Sequence, residues 1–138
     1  MRLTGRVVDE LAEAARRSRP EECCGVLLAE WGDPGLGARF LPSDNHAAVD
    51  RRHKYQLDYR VHLRAVEAET QLGAMILAYC HSHPAAPASP SPTDAALACP
   101  GATYLIVGLA PRLELRAWRW TGERFVEEAV QVVGERDQ

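Results

Sequence analysis

The chain has 138 residues, 46% hydrophobic and 25% charged, with a net charge of −3. This length and balance predict a single soluble domain spanning residues 1–138 with enough apolar material for a core. The scattered arginines, of which Arg16, Arg17 and Arg19 are the densest group, offer no basic stripe for phosphates and so exclude a nucleic-acid partner; no leader-like or membrane-length apolar run occurs either, so a cytoplasmic protein without a membrane partner is expected.

Along the chain, Gly5 to Ser18 carries Val7, Val8, Leu11, Ala14 and Ala15 at helical spacing and predicts an amphipathic helix. Arg19-Pro20 ends it. Cys23 to Leu28 is a compact apolar run that predicts a strand, and Trp31 to Gly37 is a glycine-rich turn. Arg39 to Pro42 starts a second strand, and Ser43 to His53 is a polar loop. Asp58 to Leu72 returns to helical spacing through Tyr59, His62, Leu63, Val66 and Leu72, with Gly73 as its stop. Met75 to Cys80 predicts a buried strand, and Ala85 to Pro92 a proline-rich loop. Tyr104–Leu109, Leu113–Trp120 and Arg124–Val133 complete the chain as strands, the alternation of Leu113, Leu115 and Ala117 against Glu114 and Arg116 giving one face in and one out. Helices interleaved with strands, then a run of strands, indicate an α/β or α+β layered domain.

The chemistry concentrates at His81-Ser82-His83-Pro84, directly after the Met75–Cys80 run. Two histidines at i and i+2 on an extended strand point the same way. A carboxylate folding back onto them, with Asp94 as candidate, makes a set of two imidazoles, one carboxylate and an open position, the ligand count of a catalytic zinc site. Ser91-Pro92-Thr93-Asp94 also reads as a helix start, with Ser91 as N-cap, Pro92 at the first helical position and Asp94 at N3. The two readings are compatible: a helix anchored there holds Asp94 near both imidazoles and leaves the Ser91 hydroxyl facing the same pocket. Hydrolysis also needs a group that takes a proton from water and returns it to the leaving amine; Glu21 and Glu22, before the Cys23 strand, are candidates.

The four cysteines are Cys23, Cys24, Cys80 and Cys99. The adjacent pair suits neither a zinc knuckle nor a redox motif and reads as reduced core. Cys80 and Cys99, near the ligands in sequence, have a second reading as a fourth ligand or a redox-sensitive neighbour. His62 reads as structural on a helix face. His46 and His53 read as loop residues, or as flanks of a substrate groove. Trp31, Trp118 and Trp120 read as core or interface aromatics.

Pro20-Glu21-Glu22-Cys23-Cys24-Gly25-Val26-Leu27-Leu28, then His81-Ser82-His83-Pro84, six residues, and Ser91-Pro92-Thr93-Asp94 resemble the signature of the JAMM/MPN+ metalloprotease family. The resemblance extends to Tyr104-Leu105-Ile106-Val107 and Leu115-Arg116-Ala117-Trp118. It implies a single-domain, cytidine-deaminase-like α/β fold, layered α-β-α around a central mixed sheet, with one Zn2+ per chain. His81, His83 and Asp94 would bind the metal, Glu22 would be the general acid/base, and Ser91 would hydrogen-bond the oxyanion. Glu22 is chosen over Glu21 by alignment to Glu-x-Cys-Gly, and a strand would point the two to opposite faces. Gly108 departs from the family, which often carries a serine there.

Short members of this kind resemble prokaryotic enzymes acting on small ubiquitin-like sulfur-carrier proteins that end in Gly-Gly. The implied activity is hydrolysis of the amide between the carrier's last glycine and cysteine or a lysine side chain, with the tail extended in a narrow cleft or along a strand edge. The rival from another class is a catalytically silent MPN-type scaffold for protein assembly, against which the full set Glu22, His81, His83, Ser91 and Asp94 argues. A nucleobase deaminase would need His-x-Glu and Pro-Cys-x-x-Cys, and neither is present. An exposed edge or the Trp-rich hairpin would support a homodimer.

Overall fold

A computed structural model describes residues 1–30 and 37–134. The turn expected over 31–37 and Trp31 therefore fall almost wholly outside the described residues. The chain runs β1 (Arg2–Thr4), α1 (Gly5–Ser18), β2 (Cys24–Glu30), β3 (Arg39–Ser43), α2 (Tyr59–Gln71), β4 (Ala74–His83), α3 (Pro92–Leu97), β5 (Thr103–Gly108), β6 (Glu114–Trp120), β7 (Phe125–Glu128) and β8 (Gln131–Val133). Six strands form one mixed sheet in the order β3-β2-β4-β5-β6-β7, in which only β4 and β5 run parallel.

A helix packs on each face of this sheet. Helix α1 begins where Thr4 Oγ1 accepts a hydrogen bond from Val7 N. Its Val7, Leu11 and Ala15 pack with Leu27, Ala78, Cys80, Leu105 and Val107. Helix α2 begins at Asp58, whose carboxylate accepts from Arg60 N, and packs Val61, Ala65 and Ala68 on Val26 and Leu28. Each buried leucine or valine of these layers contributes about 1.5–3 kcal/mol relative to exposure.

The buried stripe of α2 differs from the expected one. Tyr59 is 72% exposed, Leu63 41% and Leu72 75%, while the alanines go inside. Small residues let the helix axis approach the sheet, and the larger apolar side chains are left to a groove and to solvent. The expected strand Arg124–Val133 is two strands, because β7 pairs with β6 whereas β8 leaves to pair in parallel with β1. That three-residue β1 was not expected, being too short to show alternation. Tryptophan indoles in the β6 hairpin are used internally: Trp118 Nε1 donates to Ala88 O at 2.9 Å, and Trp120 packs on Phe125. Among the described residues, no helix is long and apolar enough to cross a membrane.

Strand β4 runs through both histidines rather than ending before them. It is a central strand, with His81 paired to Cys24 on one side and Ile106 on the other. Gly108, opposite His83 and Glu114, is where the loop after β4 crosses the sheet edge. A Cβ there would lie 2.4 Å from Ala88 N and 2.6 Å from Pro87 C. The loop backbone occupies the space that a serine side chain would need. Gly108→Ala is expected to destabilise the fold by about 2–3 kcal/mol through this overpacking, read as a lowered urea midpoint; an unchanged midpoint would show that the loop gives way freely.

Candidate active site

Alternation in β4 changes phase at Leu77, the extra residue between the pairs Leu28–Ile76 and Leu27–Ala78. Beyond this bulge, Ala78 and Cys80 face α1, while Tyr79, His81 and His83 share the α2 face. Both imidazoles thereby emerge past the end of α2, where α3 and the loop of residues 44–58 close over them. Cys80 is buried on the opposite face, and Cys99 is exposed with its N–H donating to Tyr104 Oη. Neither joins the cluster of His81, His83 and Asp94, whose ligand atoms lie within 4.8 Å of one another; a second such group among the described residues is Asp44, His46 and Asp58, of which the two acids flank a half-exposed loop histidine.

Helix α3 delivers Asp94 through a capping box. Ser91 Oγ accepts from Asp94 N at 3.0 Å, and Ser91 N donates to Asp94 Oδ2 at 2.9 Å. Asp94 Oδ1 lies 3.1 Å from His81 Nε2, and Oδ2 lies 3.0 Å from His83 Nε2. His83 Nδ1 sits 2.9 Å from Pro87 O, so that nitrogen carries the proton and Nε2 is the free donor atom. His81 is 1% exposed and stacked on Tyr55, with ring centroids 4.6 Å apart.

These contacts set the charges. Asp94 is held well below the usual carboxylate range: burial opposes ionisation, but the His81, His83 and Ser91 hydrogen bonds outweigh it. Burial pulls the His81 imidazole down. Burial also pulls on His83, yet Asp94 and the Pro87 carbonyl together raise it.

Glu22 is 3% exposed, whereas Glu21 is half-buried. It is fixed by its backbone: Glu22 N donates to Arg51 O at 2.8 Å, and its carbonyl accepts from Asn45 Nδ2 at 3.1 Å. The next residue is locked to β4, with Cys23 N donating to Ser82 Oγ at 2.8 Å. Burial pushes the Glu22 carboxyl up to about 8, with Asp94 adding to the rise and His83 opposing it.

Among the described residues, Glu22 Oε1 and His81 Nδ1 are buried without a hydrogen-bond partner, and His81 Nε2 has only the Asp94 carboxylate, 3.1 Å away. Unpaired buried polar atoms are costly, and Glu22 Oε1 is one, in the cavity that Glu22 lines with His83 and Ser91. His81 Nε2, His83 Nε2 and the Asp94 carboxylate would hold a cation, and a nitrogen–oxygen donor set of this size fits zinc. The five residues singled out by sequence thus assemble in one cleft. Of the remaining histidines, His53 lines that cleft, His46 stands 3.7 Å from Asp58, and His62 is exposed and stacked on Tyr79. Sequence reasoning missed Tyr55, which carried no signal beyond being an aromatic in a polar loop.

Residues 4–121 match the family of prokaryotic homologues of the JAB domain, Prok-JAB. The chain belongs to the Prok-JAB family. Among curated relatives it is 34% identical to a desampylase of Haloferax volcanii over 127 residues, covering 91% of this chain and 88% of the relative. It is 35% identical to a CysO-cysteine peptidase of Mycobacterium tuberculosis over 130 residues, covering 92% and 87%. A solved structure, protein DSY2949 from Desulfitobacterium hafniense, superposes with a TM-score of 0.84 at 32% identity, covering 97% of this chain and 93% of that one. This Prok-JAB chain is accordingly a short prokaryotic JAMM/MPN+ member.

The raised carboxyl makes a stability prediction for the metal-free protein. Folded Glu22 holds its proton to about pH 8, while the unfolded chain releases it near 4.5. Between those values the folded state binds more protons, so stability falls as pH rises through that window. Glu22→Gln removes the loss and is expected to stabilise the metal-free protein by about 4 kcal/mol at pH 8 but little at pH 4.5. Urea titrations at the two pH values check this; an equal effect at both would place Glu22 in a wetter site.

Proposed function

We propose that this Prok-JAB chain is a cytoplasmic, zinc-dependent peptidase or isopeptidase. In this reading its JAMM/MPN+ metalloprotease domain spans residues 1–138 in a cytidine-deaminase-like layered fold. It hydrolyses the amide after the C-terminal Gly-Gly of a small ubiquitin-like sulfur-carrier protein. The observation that carries the reading is the buried Glu22, its Oε1 unpaired, beside a three-residue ligand cluster. The names of the two relatives, a desampylase and a CysO-cysteine peptidase, support a small carrier protein as substrate.

His81, His83 and Asp94 would hold one zinc ion, which when bound would supply Lewis acidity toward the substrate carbonyl and toward water. Glu22 would take a proton from the attacking water and pass it to the departing amine nitrogen, a double task suited to a carboxyl whose pKa burial has raised. The Ser91 hydroxyl oxygen accepts from Asp94 N, which leaves its own proton free to donate to the oxyanion. Beside His81 and Asp94, Lys54, Tyr55, Leu97 and Tyr104 lead into an apolar groove of about 680 Å³ that also has Val49 and Tyr59 in its walls. The carrier's extended tail lies along that groove.

Elemental analysis is expected to find one zinc per chain in the wild type and none in His81→Ala or Asp94→Ala. Glu22→Gln is expected to keep zinc and lose about 10²–10⁴ in kcat on carrier conjugates, and Ser91→Ala about 10²–10³. A protein that neither takes up zinc nor cleaves carrier–cysteine or carrier–lysine conjugates would instead be a scaffold.

A further inference from the structure

The cleft has two chemically different flanks. Glu22, His83 and Ser91 open into a cavity of about 540 Å³ whose other walls include Arg19, Arg52 and His53. His81 and Asp94 face a second, mostly apolar flank with Lys54, Tyr55, Leu97 and Tyr104. Two arginines and a histidine thus line the first cavity, against the single Lys54 on the second flank. His53 is already engaged, its Nδ1 2.7 Å from Asp50 Oδ1. Among the described residues, neither the Arg19 nor the Arg52 guanidinium has a carboxylate partner.

The proton's route assigns the flanks. Hydrolysis must deliver a proton to the amine nitrogen as the C–N bond breaks, and Glu22 is the group that carries it. The departing amine therefore lies on the Glu22 side, in the cavity with Arg19 and Arg52, and the acyl side lies on the apolar flank. We infer that Arg19 and Arg52 select a leaving group bearing a free carboxylate, so that the preferred substrate is a carrier whose last glycine is amide-linked to the α-amino group of a single amino acid. This rests on the peptidase reading and deepens it. Water adds across the amide: the carrier keeps a C-terminal carboxylate, and the free amino acid leaves with its own carboxylate and a protonated amine. Guanidinium forks match that carboxylate in charge and geometry. An isopeptide-linked lysine within a protein would place uncharged backbone there and leave both arginines without a counter-charge.

The test compares two conjugates of one Gly-Gly carrier, with cysteine and with cysteinamide, on the zinc-loaded full chain. Wild type is expected to favour the cysteine conjugate at least tenfold in kcat/KM. The ratio is expected to fall below threefold in Arg19→Ala/Arg52→Ala and to drop markedly in Arg52→Ala alone. Calorimetric binding to zinc-loaded Glu22→Gln gives a readout free of turnover: the cysteinamide conjugate should bind about tenfold more weakly, and adding the two arginine substitutions should abolish the difference. Equal handling of both conjugates, or a preference that survives the arginine substitutions, overturns the inference and leaves the peptidase reading intact. Cleavage of neither conjugate sinks the peptidase reading, and binding then still decides whether the arginines read a carboxylate.

Discussion

The site depends on a single extra residue in a central strand. Without the bulge at Leu77, the alternation that buries Ala74 and Ile76 against α2 would carry Ala78 and Cys80 to the same face and turn both imidazoles toward the α1 core. The bulge reverses this, placing a purely apolar surface under α1 and a half-polar one beyond α2. The cost of interrupting a ladder between two well-paired neighbours is met elsewhere in β4, which keeps regular pairing with β5 along Tyr79 to His83. The ligands therefore stand on rigid backbone, where small geometric errors are hardest to make.

Electrostatics then separates the two carboxyl groups of the cleft. Asp94 is ionised because two imidazoles and a backbone N–H face it; Glu22, with little but burial around it, keeps its proton to unusually high pH. Two carboxyl groups a short distance apart are thus driven in opposite directions, one toward ligation and one toward proton transfer. The capping box makes the arrangement economical. The hydrogen bonds that start α3 also fix the Asp94 carboxylate and orient the Ser91 hydroxyl, so local helix stability and site geometry cannot vary independently.

Much of this was legible in the sequence because it is local. The His-x-His pair, the Ser-x-x-Asp cap and the α1 stripe each follow from spacing within a few residues. The choice of Glu22 over Glu21 came from the resemblance, through Glu-x-Cys-Gly, and both residues precede β2, so strand alternation does not decide between them. What escaped was non-local. The α2 stripe was misread because residue size ranks Tyr59, Leu63 and Leu72 above Ala65 and Ala68, whereas closeness to the sheet selects the alanines. The split of residues 124–133 depends on which partner each half finds, and the extent of β4 on its flanking strands. Gly108 looked like a missing groove residue, and its reason lies twenty positions earlier in the chain, in the backbone of Pro87 and Ala88.

The loop of residues 44–58 links ligation to selectivity. Asn45 ties it down at both ends, donating to Glu22 O and Lys54 O and accepting from Ala47 N and Gln56 N. Four consecutive residues then divide between the flanks: Arg52 and His53 line the cationic cavity, Lys54 and Tyr55 the ligand cluster and the apolar groove. Since the proposed metal ligands come from β4 and α3, substitutions in this loop would change what is bound on either side without moving those residues. Glu22 alone belongs to both systems, because its backbone is held by the loop through Arg51 and Asn45. A change that loosens the loop should therefore disturb proton transfer as well as substrate choice, whereas exchanging Arg52 on an intact loop should alter choice alone.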